Sequence, residues 1–274
     1  MRVGSDVPGR ITRLPGGVAM NIAMTLARFG LRPALLTAVG RDAEGDELVA
    51  ACTRMGMDCD HIYRSEDLPT DRYMAVEGAN GLIAAVADAH SLEAAGAKIL
   101  RSLEDGRLGS PTCPYAGMIA LDGNLTEVLL SDITASPLFA AADLRVAPAS
   151  PGKAERLTPL LTHSSATLYV NLEEAGILAK GKFENAGQAA QALLDRGAAR
   201  VLVTDGGRAS ADGSQSSGII TGSPRAVLVS RVTGAGDTFM AAHIVAERRG
   251  MGRKAALAAA LTAAANYVSG EIAS

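Results

Sequence analysis

Tryptophan is absent from this chain of 274 residues, and all aromatic residues together make up only 3% of it. A core must therefore be assembled from Ala, Leu, Val and Ile, without the large rings that usually supply much of the buried area. Positive charge is not in excess either. With 26 Lys and Arg against 29 Asp and Glu, the net charge is −3, which withholds the basic footprint of a nucleic-acid binder. Cysteine is scarce: Cys52, Cys59 and Cys113 form no CxxC pair and have no metal-ligand spacing. That excludes a disulfide scaffold and reads as reduced thiols in a cytoplasmic protein. The four histidines, His61, His90, His163 and His243, also lack ligand spacing and read as scattered surface or helix positions. No apolar run is long enough to span a bilayer, and the Ala-rich stretch from Lys254 to Tyr267 reads as a buried helix. The opening decapeptide, MRVGSDVPGR, is polar and rich in Gly and Pro, unlike a signal peptide. Neither a membrane nor a nucleic acid is expected as a partner.

What is present is 48% hydrophobic and 20% charged, in a length that suits one large α/β domain or two small ones. Val18–Gly30 places Val18, Ile22, Leu26 and Phe29 at helical spacing and stops at glycine. Pro33–Gly40 is a short apolar run ending in glycine and predicts a buried strand, and AEGDELVAACTRMG predicts the next helix. This alternation points to a parallel sheet with helical crossovers. Residues 71–88 break it. Two β-type runs flank EGANG and predict an antiparallel hairpin outside the main sheet. The alternation resumes in AGMIALDG, DLRVAPAS, TLYVN and ARVLVTDGG, short strands that end in Asp, Asn, Gly or Ser. In open parallel sheets ligands collect at such carboxyl ends. With no repeat and no linker, residues 1–274 are expected to form a single domain.

The stretch RVTGAGDTFMAAHI, residues 231–244, sets two glycines and an acid at the mouth of an apolar helix. Glycine costs backbone entropy there, so a compensating role is expected. A helix N-terminus exposes unpaired N–H groups and partial positive charge, and small residues let an anion approach them. The amides of Gly234, Ala235 and Gly236 are expected to share one concavity. Asp237 at its rim would be repelled by the anion and is better placed to take a proton from an attacking hydroxyl. That is the layout of phosphoryl transfer to an alcohol. On spacing alone, a glycine turn with Asp as a helix cap serves equally well.

VTGAGDTFMAAHI resembles the C-terminal signature of the ribokinase, or phosphofructokinase B, family of carbohydrate and nucleoside kinases. PGGVAMNIAMTLARFG is similar to that family's Gly-Gly…Asn-x-Ala pattern, carried by Gly16, Gly17, Asn21 and Ala23. AVGRDAEGDEL, NLEE and VTDGG follow in the family's order, so the resemblance covers almost the whole chain. It implies an α/β, ribokinase-like three-layer sandwich with a mostly parallel sheet and a small β-sheet lid, here about 5–16 and 70–88. It also implies ATP and Mg²⁺ as cofactors, with a monovalent cation as a further candidate. Asp237 would be the base, with the Gly234, Ala235 and Gly236 amides on the transferring phosphate. Gly16, Gly17 and Asn21 would face the substrate hydroxyls. Thr204, Gly206, Gly207 and Asn171 would line the nucleotide cleft, and Glu174 would help to organise the metal. Read from the residues alone, Gly16–Gly17 could equally be a tight turn and Asn21 a buried amide.

Within the family the finer resemblance is to pseudouridine kinases, through TDRYMAVEGANGLIAAVAD, LDGNL and the Arg231 that stands where sugar kinases carry Asp. It implies 5′-phosphorylation of pseudouridine or a similar nucleoside. Two departures stand against it. The family's opening strand and its sugar-contacting Asp are not seen ahead of Gly16, and Ala147 replaces an Asp that pseudouridine kinases tend to carry before Pro. A ribose or hexose-phosphate kinase and a non-catalytic nucleotide- or sugar-binding relic therefore remain alternatives. Tyr63 and Tyr73 are candidates to touch a base ring, or else core and lid-edge residues. The expected partner is a small-molecule substrate; the oligomeric state is left open, with a homodimer paired through the lid as a candidate, because an exposed apolar hairpin face would favour a dimer.

Overall fold

The computed structural model describes residues 9–78 and 81–271. It opens with helix α1 (Val18–Arg28), strand β1 (Ala38–Gly40), α2 (Ala43–Arg54), β2 (Tyr63–Ser65), the pair β3 (Arg72–Gly78) and β4 (Gly81–Asp88), and α3 (His90–Ala95). Then come β5 (Met118–Asp122), α4 (Glu127–Ala135), β6 (Asp143–Ala147), β7 (Ala166–Asn171), α5 (Leu172–Ala179) and α6 (Ala186–Asp195). The chain ends with β8 (Arg200–Thr204), β9 (Ser210–Ser214), β10 (Gly218–Gly222), α7 (Ala235–Arg248) and α8 (Arg253–Ser269). The main sheet has the order β10-β9-β8-β7-β6-β5, parallel from β5 to β8, with β9 and β10 added antiparallel.

Alternation along the strands builds three layers. Leu168 and Val170 of β7, with Val201 and Val203 of β8, face a core shared with α4, α5 and α6. Tyr169 and Leu202, the residues between them, face the opposite core with α1, α7 and α8. A strand buried on both faces must be apolar throughout, which is why β7 and β8 read as continuous runs. The poverty in rings holds true of the core: of the largest fully buried side chains only Phe139 is aromatic.

The expected helices at 18–30 and 43–56 form, and so do the four strands of the resumed alternation. The strand expected over Pro33–Gly40 shrinks to Ala38–Gly40, with a single bridge from Ala34 to Asp58 ahead of it. The hairpin at 71–88 stands apart as its own two-stranded sheet, with its tip residues 79–80 outside the described residues. Of the other expected lid segment, residues 5–8 lie outside the described residues, while 9–16 carry no regular structure and expose Ile11 and Leu14. Among the described residues no strand precedes α1, and no helix is long and apolar enough to cross a membrane.

β9 escapes a sequence reading because SADGS lacks β-type side chains, and β10 because the Ile-Ile-Thr of GIITG is a short run closed in by glycines. Close packing explains β9. A Cβ on Gly213 would meet Leu194 at 3.2 Å and Ala190 at 3.3 Å, so α6 lies too near for anything larger. The basic residues at 248–254 divide between two helices. Arg248 closes α7, but Arg253 opens α8 and binds the buried Asp212 through Nη2 at 3.0 Å. Asp212 also accepts from Arg200, and Arg200 and Arg145 both donate to Glu247 at 2.5 Å. The Tyr169 hydroxyl joins Arg145 to the buried His243, whose pKa desolvation lowers to about 4. This network fastens the C-terminal end of α7 to the sheet and so fixes where its N-terminal end points.

Candidate active site

The N-terminus of α7 lies beside α1 at the carboxyl ends of the strands. Gly234 is its N-cap, with φ 89° and ψ 0°. Two facts demand glycine there. The conformation is left-handed, and an added Cβ would lie 2.6 Å from the Tyr267 hydroxyl. That hydroxyl donates to the Thr233 carbonyl at 2.8 Å, and the Arg231 guanidinium lies 3.9 Å over the Tyr267 ring. The last turn of α8 thus braces the approach to α7. Gly236 differs: nothing lies within 4 Å of its would-be Cβ. Its lack of a side chain leaves room in front of the helix end, which is what an arriving anion requires.

The amide concavity needs one correction. The Ala235 N–H is already committed to the Val232 carbonyl at 3.0 Å. The tight turn that lets the chain enter the helix consumes it. Among the described residues the amides of Gly234, Gly236 and Asp237 make no hydrogen bond, so the unpaired donors are those three.

Asp237 sits in the first turn of α7, and its Oδ2 accepts from Asn21 Nδ2 at 2.7 Å. Burial pushes its pKa up to about 6 against the lowering by Asn21, and the nearby Asp122 adds to the rise. Asn21 is presented by the first turn of α1, whose N-cap is Gly17 and which begins directly after Gly16. The structure therefore joins Asn21 and Asp237, two residues 216 positions apart. Asp122, at the end of β5, was not singled out from the sequence. Its Oδ2 accepts from the Ala19 N–H at 3.0 Å and so caps α1 across space, and its Oδ1 accepts from the Asn124 N–H at 2.7 Å. Lys153 supports this corner through a 2.7 Å bond to Asn124 Oδ1. The only sequence signal was an Asp at a strand's carboxyl end.

Asn171 and Glu174 form a capping box at the start of α5. Asn171 Oδ1 accepts from the Glu174 N–H at 2.9 Å, and Glu174 Oε2 accepts from the Asn171 N–H at 2.8 Å. The NLEE motif is thus, in part, a helix stop-and-start device. Glu174 is nevertheless buried. Its pKa is pushed to about 7 by desolvation, with Glu173 and Asp237 adding to the rise. Among the described residues no lysine or arginine offsets this for Asp237 or Glu174, while Lys153 does so weakly for Asp122.

A cleft of about 710 Å³ opens beside them at the ends of β7 and β8. Asn171, Thr204 and Gly206 line it, with Phe183, Ile177 and Lys182 on the far wall. Gly207 does not. After Gly206 the chain turns, with the Arg208 N–H on the Asp205 carbonyl, and carries Gly207 away. Tyr73 is exposed on the hairpin, and Tyr63 lies in a separate pocket on β2.

A phosphate cradle, a buried acid held by an amide and a nucleotide-sized cleft thus meet at one end of one sheet. The profile of the pfkB family carbohydrate kinases matches residues 3–271. The chain belongs to that family. Its members are phosphotransferases acting on sugar or nucleoside hydroxyl groups. The chain is 30% identical to the pseudouridine kinase of Escherichia coli over 243 residues, covering 85% of this chain and 73% of that one. It is also 31% identical to the uncharacterised E. coli sugar kinase YeiI over 124 residues, 45% of this chain and 33% of that one, so this match spans about a third of the relative's length. Among solved structures, a carbohydrate kinase from Agrobacterium tumefaciens superposes with TM-score 0.81 at 23% identity, over 100% of this chain and 88% of that one. An Arabidopsis thaliana ribokinase complexed with ribose and ATP superposes with TM-score 0.75 at 21% identity, over 97% and 86%. The ribokinase-like fold is thereby shown, with its mostly parallel sheet.

Proposed function

We propose that this chain transfers the terminal phosphoryl group of ATP to the 5′-hydroxyl of pseudouridine or a similar nucleoside. The observation that carries the reading is Asp237, held by Asn21 at 2.7 Å beside unpaired helix amides. Asn21 takes up Oδ2 and leaves Oδ1 for the substrate hydroxyl. As that oxygen attacks the terminal phosphorus, its proton passes to Asp237, the bond to the ADP oxygen breaks, and the Gly234, Gly236 and Asp237 amides face the charge that develops. Gly16 and Gly17 let the substrate approach α1. Thr204, Gly206 and Asn171 contribute the wall against which the nucleotide lies.

Among the described residues no three Asp, Glu, His or Cys side chains converge to hold a metal alone. Mg²⁺ fits such a site, because it keeps waters and phosphate oxygens and needs only one or two carboxylates. Glu174, buried beside Asp237 with no cation of its own, would hold it, directly or through water. When bound, the ion would supply neutralisation of phosphate charge. A monovalent cation is part of the same reading only as a candidate. So is a second copy of the chain, paired through β3 and β4.

The pseudouridine assignment rests on the 30% identity to the E. coli enzyme, and the match to YeiI favours a sugar kinase as the second reading. A panel of pseudouridine, uridine, adenosine, ribose and fructose 6-phosphate with labelled ATP separates them. The expected result is pseudouridine preferred by at least about tenfold in kcat/KM, with turnover abolished by EDTA and restored by Mg²⁺. Preference for ribose or fructose 6-phosphate would establish the second reading. Turnover unaffected by EDTA would remove Glu174 from metal binding.

A further inference from the structure

A second pocket, of about 300 Å³, lies beside the short β1–β2 sheet and against the 3-10 segment Gly96–Leu103. Its lining differs from that of the nucleotide cleft. Arg41, Arg64, Lys98, Arg101, Arg107 and His61 all face it. This is a concentration of cations on a chain whose net charge is −3. Three of the five are balanced: Arg41 by Glu66 at 2.6 Å, Arg64 by Asp46 at 2.6 Å and Arg107 by Asp105 at 2.7 Å. Lys98 and Arg101 have no carboxylate partner among the described residues. They lie over the ring of Tyr63, at 5.5 and 5.7 Å from its centroid. The wall therefore keeps two uncompensated positive charges three residues apart on one helical turn, a repulsive arrangement unless something answers it. His61 adds an independent sign. Its Nδ1 is buried and finds no hydrogen-bond partner. A buried polar atom left unpaired costs free energy, and a turn of the imidazole toward a ligand in the pocket would recover that cost.

We propose that this pocket is a second binding site, separate from the nucleotide cleft, for a small anion bearing a phosphate group. A phosphate monoester carries close to two negative charges at neutral pH, matching the two cations without partners. Its oxygens can accept in pairs from the Arg101 guanidinium and singly from the Lys98 ammonium. The volume of about 300 Å³ admits a diphosphate or a phosphorylated pentose. The site stands at the root of the hairpin. Arg64 donates to the Gly40 carbonyl at 2.9 Å, Arg41 follows Gly40, and Asp42 holds the Thr70 hydroxyl at 2.5 Å just before β3 begins.

The four histidines make the test direct. The imidazole Cε1–H signal of His61, assigned with His61→Gln, is followed by NMR while pyrophosphate or ribose 5-phosphate is added to the full chain. Potassium chloride of equal ionic strength is the control. A saturable shift of His61, with His90 and His163 unmoved, is expected. Lys98→Ala/Arg101→Ala changes only exposed side chains, and its fold is checked by circular dichroism; it should weaken that binding at least about tenfold. Gly236→Val, which blocks the catalytic anion turn, should leave the His61 shift intact. Tighter binding of ribose 5-phosphate than of pyrophosphate would identify a metabolite monoester as the ligand, and the reverse order an inorganic diphosphate. The proposal is overturned if chloride moves His61 equally, if the double variant binds as well as the wild type, or if Gly236→Val abolishes the shift.

Discussion

At the scale of single residues, the site is a set of carboxylates kept where carboxylates are least comfortable. Burial, with Asp122 nearby, pushes Asp237 to about 6, and burial, with Glu173 and Asp237 nearby, pushes Glu174 to about 7. Both folded pKa values exceed the unfolded ones, 3.8 and 4.5, so the native state binds more protons between those limits. Stability therefore falls as pH rises through about 4 to 7, the opposite of a salt-bridged acid. Removing the charge at Asp237 should help the fold and harm the chemistry. Asp237→Asn should lower kcat by about 10² to 10⁴. It should also raise the melting temperature at pH 8 by the equivalent of about 1–3 kcal/mol, and the gain should vanish near pH 4. Parallel kinetics and calorimetry at the two pH values check both halves, and near-normal kcat would remove Asp237 as the base. The same pair sets the pH profile. Log kcat/KM should climb through pH 6–7 and then level, as a coupled titration of the two groups. In Glu174→Gln the acid limb should move to lower pH, because one like charge is gone. An unmoved limb would mean that the two carboxylates do not share the site's field.

At the scale of the element, α7 works as a rail. Its far end is fixed by Glu247 between Arg145 and Arg200, and its near end is shaped by Gly234 against Tyr267. The two glycines of GAGD should therefore fail differently. Gly236→Val enters open space and changes helix propensity little, so melting should hold while turnover drops at least about 10²-fold. Gly234→Ala forces a left-handed residue, at about 1–2 kcal/mol, and also meets the Tyr267 hydroxyl. In a Tyr267→Phe background the cost of Gly234→Ala should shrink, a non-additivity that only direct contact produces. Melting curves for the four variants decide this, and additive losses would exclude the contact. Much of this rail was legible beforehand, because GAGD carries its chemistry in consecutive residues. Gly16, Gly17 and Asn21 stand out as a local pattern, but the bond from Asn21 to Asp237, 216 positions away, does not. The amide of Ala235 was not legible: its commitment to Val232 depends on how tightly the chain turns. Asp122 was hidden because its partner Ala19 lies 103 positions away. β9 was hidden because its small residues answer to the nearness of α6 and not to any propensity of their own.

At the scale of the whole molecule, the feature that most needs a partner is the β3–β4 hairpin. Its cross-strand pairs include Met74 with Val86 and Ala75 with Ala85, which place apolar side chains on both faces. Tyr73, Met74, Ile83 and Val86 are each more than half exposed. An isolated two-stranded sheet is marginal in water, and its open edges and apolar faces invite pairing with another chain. A second copy satisfies both needs at once, since two such hairpins can cross and cover each other about a two-fold axis. The chain should therefore sediment at twice its 28.0 kDa. Met74→Lys/Val86→Lys places two like charges on a directly opposed pair, so it should yield a monomer without touching the main sheet. Its circular dichroism should be unchanged, because neither residue belongs to the buried cores, while its melting temperature should fall and lose the concentration dependence of the dimer. Sedimentation equilibrium over a tenfold concentration range makes the measurement. A wild type that stays monomeric throughout would show that the hairpin is covered by something other than its own copy, and a dimer that survives the double substitution would place the interface elsewhere.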